Sequence, residues 1–250
     1  MATGYCERDD VRRALQEASF DGAIGQDGEI ATDAIEGLSQ WLRRRTHRHW
    51  YDSGGGATLV PTSTRSVSNI MLDVPASPHR QGRQLHHGDD LATKYPVTHA
   101  GPYARVRLPH YDVDALTTLA VRDRGGGVTD WVADSSYVSG RGEDYYLQTE
   151  GDEFQTSYLY LRAGSIGPRV DMSDLLTVGY TYGTDQQSHA WDSVRRSVAM
   201  LAAADLVLEE DVQSMVPDNG QLVNVQTKAE RYVQRALDRG LNAYMDLPIA

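Results

Sequence analysis

The stretch AIEGLSQWLRRRTHRHWYD at residues 34–52 concentrates side chains that could do chemistry. Arg43, Arg44, Arg45 and Arg48 carry guanidiniums, His47 and His49 carry imidazoles, and Trp50 and Tyr51 follow as aromatics. Such a set could grip phosphate, hold a metal through its imidazoles, or dock a protein at the end of a helix. Guanidinium forks suit phosphate and carboxylate alike. Histidines at a helix end more often cap carbonyls than ligate a metal.

Three further groups merit the same question. His86, His87, Asp89 and Asp90 hold metal-ligand atoms, but adjacent histidines point apart and no second cluster at fixed spacing supports them. Gly54, Gly55 and Gly56, like Gly125, Gly126 and Gly127, lack the Lys-Ser/Thr that completes a phosphate loop, so they read as hinges or hairpin loops. No nucleophile elbow and no His-Glu-x-x-His occurs. The expectation is therefore no enzyme, no metal and no cofactor.

Whole-chain totals narrow the choice. Over 250 residues the net charge is −11, so attraction to a polyanion is not the default. Only Lys94 and Lys228 are lysines, against 22 arginines and 35 acidic residues. That balance suits solubility in concentrated salt and points to a halophilic source. Cys6 is the single cysteine, which excludes an internal disulfide. The opening residues lack the features of a signal peptide, and no apolar run reaches the ~18–20 residues of a membrane span, so a soluble product inside the cell is expected.

The elements that must position these residues are helical at both ends and β-rich between. A first helix is expected over 7–19, with Val11, Leu15 and Ala18 on one face, Tyr5 or Cys6 near its cap, and Asp9 and Asp10 in its first turn. A second begins near 27–30 and presents Ile30, Ala31, Ala34, Ile35, Leu38, Trp41 and Leu42, ending in Arg43, Arg44 and Arg45. Strands are expected at 58–60, 67–72, 104–108, 116–122, 145–149, 158–162 and 175–182, with 75–96 a long loop. Residues 111–160 hold ten acids against three arginines, so this portion carries much of the negative charge. A third helix, capped by Ser188, carries Trp191, Val194, Val198, Leu201, Ala202 and Leu208. A fourth opens with the capping box Thr227-x-x-Glu230 and carries Tyr232, Val233, Ala236, Leu237 and Leu241.

Taken in order, TGYCERDDVRRALQEA, AIEGLSQWLRRRTHRHWYD, LLTVGYTYGT and AWDSVRRSVAMLAAADLVLEED resemble the head–tail connector, or head–tail adaptor, family of tailed viruses. The likeness covers about the first 52 residues and the last 75. Residues 57–165 look like an enlarged β insertion, the arginine run is more basic than the family pattern, and His47 stands where many members have glycine. Together with the composition, the resemblance implies an adaptor of a tailed virus of a haloarchaeon.

The fold expected is α+β: a bundle of about four helices from both chain ends, with an inserted, mostly antiparallel β domain. The parts are 1–52, an N-terminal helical hairpin; 53–183, the β-rich insertion; and 184–250, the helices completing the bundle. The resemblance implies a twelve-copy ring under the portal, in the virion neck, that joins the capsid to neck or tail proteins and lets double-stranded DNA pass without specific binding. No membrane partner is expected. Arg43, Arg44, Arg45, Arg48, Trp50 and Tyr51 are the expected protein interface, with Trp41 and Leu42 in the core. The rivals are a DNA-binding accessory protein using the same arginines, and a β module that binds a ligand or glycan.

Overall fold

Residues from both ends of the chain share one apolar core, and the residues between them build another. The computed structural model describes residues 4–15, 28–54, 58–74, 98–100, 103–123, 126–150, 156–166, 172–185, 189–208 and 223–241. It divides into two units: Met1–Thr64 with Thr184–Ile249, and Arg65–Gly183. Helices dominate the first and antiparallel sheets the second, so the fold is α+β.

In the helical unit, α1 (Arg8–Leu15) begins where the Asp10 carboxylate accepts the Glu7 N–H at 2.9 Å, one half of a capping box. Asp10 also pairs with Arg195 Nε at 2.6 Å. The segment before α1 lies so close to the next helix that a Cβ on Gly4 would stand 2.7 Å from Ile35 Cγ2, which requires glycine there.

Helix α2 (Gly28–Thr46) buries Ala31, Ile35, Ser39, Leu42 and Thr46. This corrects the expected register, because Trp41 is 48 % exposed and Ile30 38 %. Two polar residues account for the difference. Ser39 Oγ donates to the Ile35 carbonyl at 2.6 Å and accepts the Tyr5 N–H at 2.9 Å, while Thr46 Oγ1 donates to the Leu42 carbonyl at 2.8 Å. With their hydrogen bonds satisfied they can be buried, and they turn the inward face roughly a third of a turn away from Trp41.

Helix α3 (His189–Leu208) touches the other helices and buries Val194, Ser197, Val198, Ala199, Ala202, Ala203, Ala204 and Leu206. Helix α4 (Val223–Ala236) runs into a π-helical turn at Leu237–Leu241, and Ser197 Oγ donates to the Ala236 carbonyl at that junction. The Thr227 cap is a second correction, since the helix starts at Val223 and encloses Thr227. The expected strand at 58–60 is a bend, whose Leu59 and Val60 lie in the helical core. Strand β1 (Trp50–Tyr51) runs parallel to Thr184–Asp185.

The second unit holds two four-stranded antiparallel sheets. The first is ordered β2 (Arg65–Val74), β9 (Met172–Tyr182), β5 (Val113–Arg122) and β6 (Val128–Asp130). The second is ordered β3 (Thr98–Ala100), β4 (Tyr103–Tyr111), β8 (Thr156–Arg162) and β7 (Tyr145–Glu150). Thr184–Asp185 is β10. Leu72, Leu119, Val121, Leu176 and Val178 from one sheet meet Ala104, Val106, Leu108, Leu159 and Leu161 from the other. Alternation along the strands made this legible, and the expected segments from 67 to 182 all fall inside strands. Gly126, with φ of 83°, turns the β5–β6 hairpin, whose Gly127 N–H donates to Asp123 Oδ1. Ala18, the Ser188 cap and the loop at 75–96 lie outside the described residues, as do the side chains of Leu15, Trp191 and Leu208.

Two expectations follow. Trp50 is 1 % exposed, so Trp50→Ala is expected to cost about 3–5 kcal/mol in chemical denaturation, whereas Trp41→Ala should change stability by less than about 1 kcal/mol. Cys6 is fully buried, and that burial, with Asp10 adding to it, pushes its thiol pKa far up. A thiol reagent should therefore label Cys6 only at the rate of unfolding. Above about pH 9 the unfolded chain releases a proton that the folded chain keeps, so stability should fall as pH rises there.

Candidate interaction site

Helix α2 ends because His47 takes a left-handed backbone, φ 54°, while its N–H donates to the Arg43 carbonyl at 2.9 Å. This is the αL cap, a position that glycine fills most easily. The turn sends the next residues inward. Arg48, His49 and Trp50 are 2 %, 4 % and 1 % exposed. Of the expected interface set, Arg44 and Arg45 are exposed, Arg43 and Tyr51 are half-buried, and Arg48 and Trp50 are buried. Arg48 and Trp50 are thus corrections: the turn at His47 carries them away from the surface.

His49 makes the polar joint that sequence reasoning missed. Its Nε2 lies 3.1 Å from the Ser63 carbonyl and its Nδ1 3.2 Å from the Tyr5 hydroxyl. A carbonyl only accepts, so Nε2 carries a proton, and in the neutral ring Nδ1 accepts from Tyr5. Tyr5 meets Trp50 edge-on at 5.3 Å. The histidine therefore serves structure, with its ring held between two protein groups.

A second cluster lies on the sheet β3–β4–β8–β7. Ala104, Val106, Leu108, Leu159, Leu161 and Tyr145 face the core, so the alternate residues face outward. Those are Tyr103, Arg105 and Arg107 on β4, Tyr158, Tyr160 and Arg162 on β8, and Tyr146 and Gln148 on β7. Tyr146 and Tyr160 stack at 4.5 Å, and Tyr103 meets Tyr146 edge-on at 5.1 Å. Arg105 lies flat over Tyr158, 3.6 Å from the ring centre. Arg107 donates to the Tyr111 hydroxyl at 2.9 Å, and Arg141 donates to Gln148 Oε1 at 2.6 Å.

The loop bearing Arg141 is fixed from beneath. Gly142 N–H donates to the Tyr103 hydroxyl, which donates in turn to the Glu143 carbonyl. Asp144 accepts the Ser165 hydroxyl and the Val138 N–H, and these bonds hold its carboxyl below the ordinary range. Beside the loop, Asp114, Val132, Arg141, Tyr146 and Gln148 line an open groove of about 530 Å³. The signal for this face was present in the sequence as Tyr-x-Arg-x-Arg at 103–107 and Tyr-x-Tyr-x-Arg at 158–162.

Both clusters present donors, which suit carboxylates or phosphates. Among the described residues no three His, Cys, Asp or Glu stand close enough to share a metal ion, and His86, His87, Asp89 and Asp90 lie outside them. No described helix is long and apolar enough to cross a membrane.

The cap yields a prediction. His47→Gly should alter stability by no more than about 1 kcal/mol, since relief of the left-handed strain offsets the entropy of glycine. His47→Val, β-branched, should lose about 1–3 kcal/mol. Thermal unfolding of the two variants side by side is the check.

No family model matches the chain, and no curated protein matches it. Among solved structures, a chain from the virion of a native gene transfer agent (GTA) particle is similar at 16 % identity and a TM-score of 0.33. The likeness covers 80 % of this chain and 74 % of that one.

Proposed function

We propose that this chain is a structural protein of a virion, and specifically a head–tail adaptor that forms a ring under the portal of a tailed virus. The observation that supports the reading is the meeting of the chain ends. The two segments that resemble the adaptor family, at the start and the end of the chain, contribute to a single helical core. In that core Asp10 of α1 pairs with Arg195 of α3, and Ser197 reaches the end of α4.

In this reading the ring extends the DNA channel and meets neck or tail proteins on its far side. A chain of net −11 suits a passage that DNA must slide through without being gripped. The same acidic, lysine-poor composition supports a haloarchaeal host, where concentrated salt screens the self-repulsion of the ring. Ring closure needs two different, complementary faces on each copy. The exposed Arg44 and Arg45 supply one set of guanidiniums toward the portal or a neighbouring copy.

Arg44→Glu with Arg45→Glu tests the proposal. Opposing the helix dipole costs only ~0.3–1 kcal/mol per charge, so the monomer should stay folded by circular dichroism. Losing one side of a desolvated charge pair costs about 2–5 kcal/mol, so co-purification with the portal protein from the same genome should fail. Intact portal association combined with lost DNA binding would favour the DNA-binding accessory reading instead.

A further inference from the structure

Strand β7 ends its sheet, and among the described residues no strand pairs with its outer side. Backbone direction decides which groups that side offers. The Asp144 carbonyl accepts the Arg162 N–H, toward β8. Tyr145 turns the other way, its N–H to the Val138 carbonyl at 3.4 Å and its carbonyl to the Gly140 N–H at 2.8 Å. Hydrogen-bonding direction alternates along a strand, so Leu147 and Thr149 point their N–H and C=O groups to the same side as Tyr145. Residues 138–140 cover that edge only at its start, where Ser139 bridges Tyr145.

Exposed edges are ordinarily blunted by proline, lysine, a bulge or a covering element. Tyr145–Glu150 holds no proline or lysine, and its register with β8 runs without a shift. The edge opens onto the groove beside the Arg141 loop, which is lined by consecutive residues, 145–148 of β7 and 114–116 of β5. Successive side chains point to opposite faces of a sheet, so consecutive lining means that both walls are strand edges. Strand β5 is open there too, because β6 pairs only with Ala120, Val121 and Arg122.

Side chains around the edge select the segment that fits. Leu116 and Leu147 pack on the core between the sheets, and Val132 stands exposed in the groove. Inward positions of an added strand therefore meet apolar surface. Outward positions meet Gln148 and the exposed Arg141, whose fork suits a carboxylate. Asp114 on the other wall disfavours a phosphate backbone.

We propose that β7 takes up an extended segment of a partner protein as an added strand, apolar at inward positions and carrying a carboxylate opposite Arg141. Main-chain pairing to Leu147 and Thr149 supplies affinity, and alternate side chains supply choice. The proposal goes beyond the adaptor reading and does not depend on it.

Amide hydrogen exchange by NMR on the full chain is the first arm of the test. The Leu147 and Thr149 amides should exchange fast, and those of Tyr146 and Gln148, which face β8, slowly. Protection of Leu147 and Thr149 in the protein alone overturns the proposal. Protection independent of concentration assigns the edge to the chain's own residues, and protection rising with concentration assigns it to a second copy. The second arm is fluorescence anisotropy with a labelled, end-capped peptide, Ser-Val-Glu-Val-Thr-Val-Ser. It should bind and protect Leu147. Alternate N-methylation, which removes edge donors but keeps every side chain, should weaken binding at least about tenfold. Thr149→Pro should do the same with β8 pairing intact, since the Thr149 N–H faces the open side. Arg141→Glu should weaken the peptide at least about tenfold and its Glu-to-Gln version far less. Absence of peptide binding, equal binding of the N-methylated peptide, or displacement of the peptide by an oligonucleotide overturns the proposal. If Thr149→Pro unfolds the protein, the N-methylated peptide still decides.

Discussion

The helical unit depends on burial against the alanine-rich helix His189–Leu208, which the other helices contact. Ala199, Ala202, Ala203 and Ala204 are buried there beside Val194, Val198 and Leu206, and Ile35, Leu42, Trp50 and Tyr232 fill the same core. Burial excludes water, and a polar group caught in the contact must then find a protein partner. Ser197 finds the Ala236 carbonyl, Ser39 bridges Ile35 and Tyr5, and Arg195 meets Asp10. The buried Cys6 thiol, kept protonated, belongs to the same tightly closed region.

Hydrophobic periodicity exposed most of the architecture. The β strands announced themselves by alternation, and the helices by their apolar stripes. It failed where polar residues take buried positions. Ser39 and Thr46 are invisible to a count of apolar side chains, so such a count rotates the face of the second helix toward Trp41. The site was less legible than the fold. The arginine run was plain, but a single left-handed residue, His47, decides which of its members reach solvent, and no composition rule reports a backbone dihedral. The tyrosine–arginine face shows the converse failure. Its alternating pattern was in plain view, but only strand pairing brings 103–107, 146–148 and 158–162 onto one surface.

Charge is arranged on a finer scale than the total suggests. Guanidiniums cluster at the end of the second helix and on one sheet face, while several carboxylates are engaged by backbone N–H groups. Asp123 holds the Gly127 N–H, Asp130 the N–H groups of Leu119 and Val132, and Asp134 that of Ser136. These carboxylates keep their charge but are held in place by the turns and strands that they bind.

His49 carries one more implication. Its ring holds the Ser63 carbonyl, just before the chain leaves the helical unit, and its own carbonyl accepts the Thr184 N–H, just after the chain returns. Both ends of the excursion are moored to a single residue. A segment anchored this way behaves as an exchangeable cassette. The entropic cost of closing such an excursion grows only as the logarithm of its length, so descendants could lengthen, shrink or replace the β unit without redesigning the bundle that carries it. Selection could then act on the two pieces at different rates, with the helices slow to change and the sheets free to diversify with whatever they must touch.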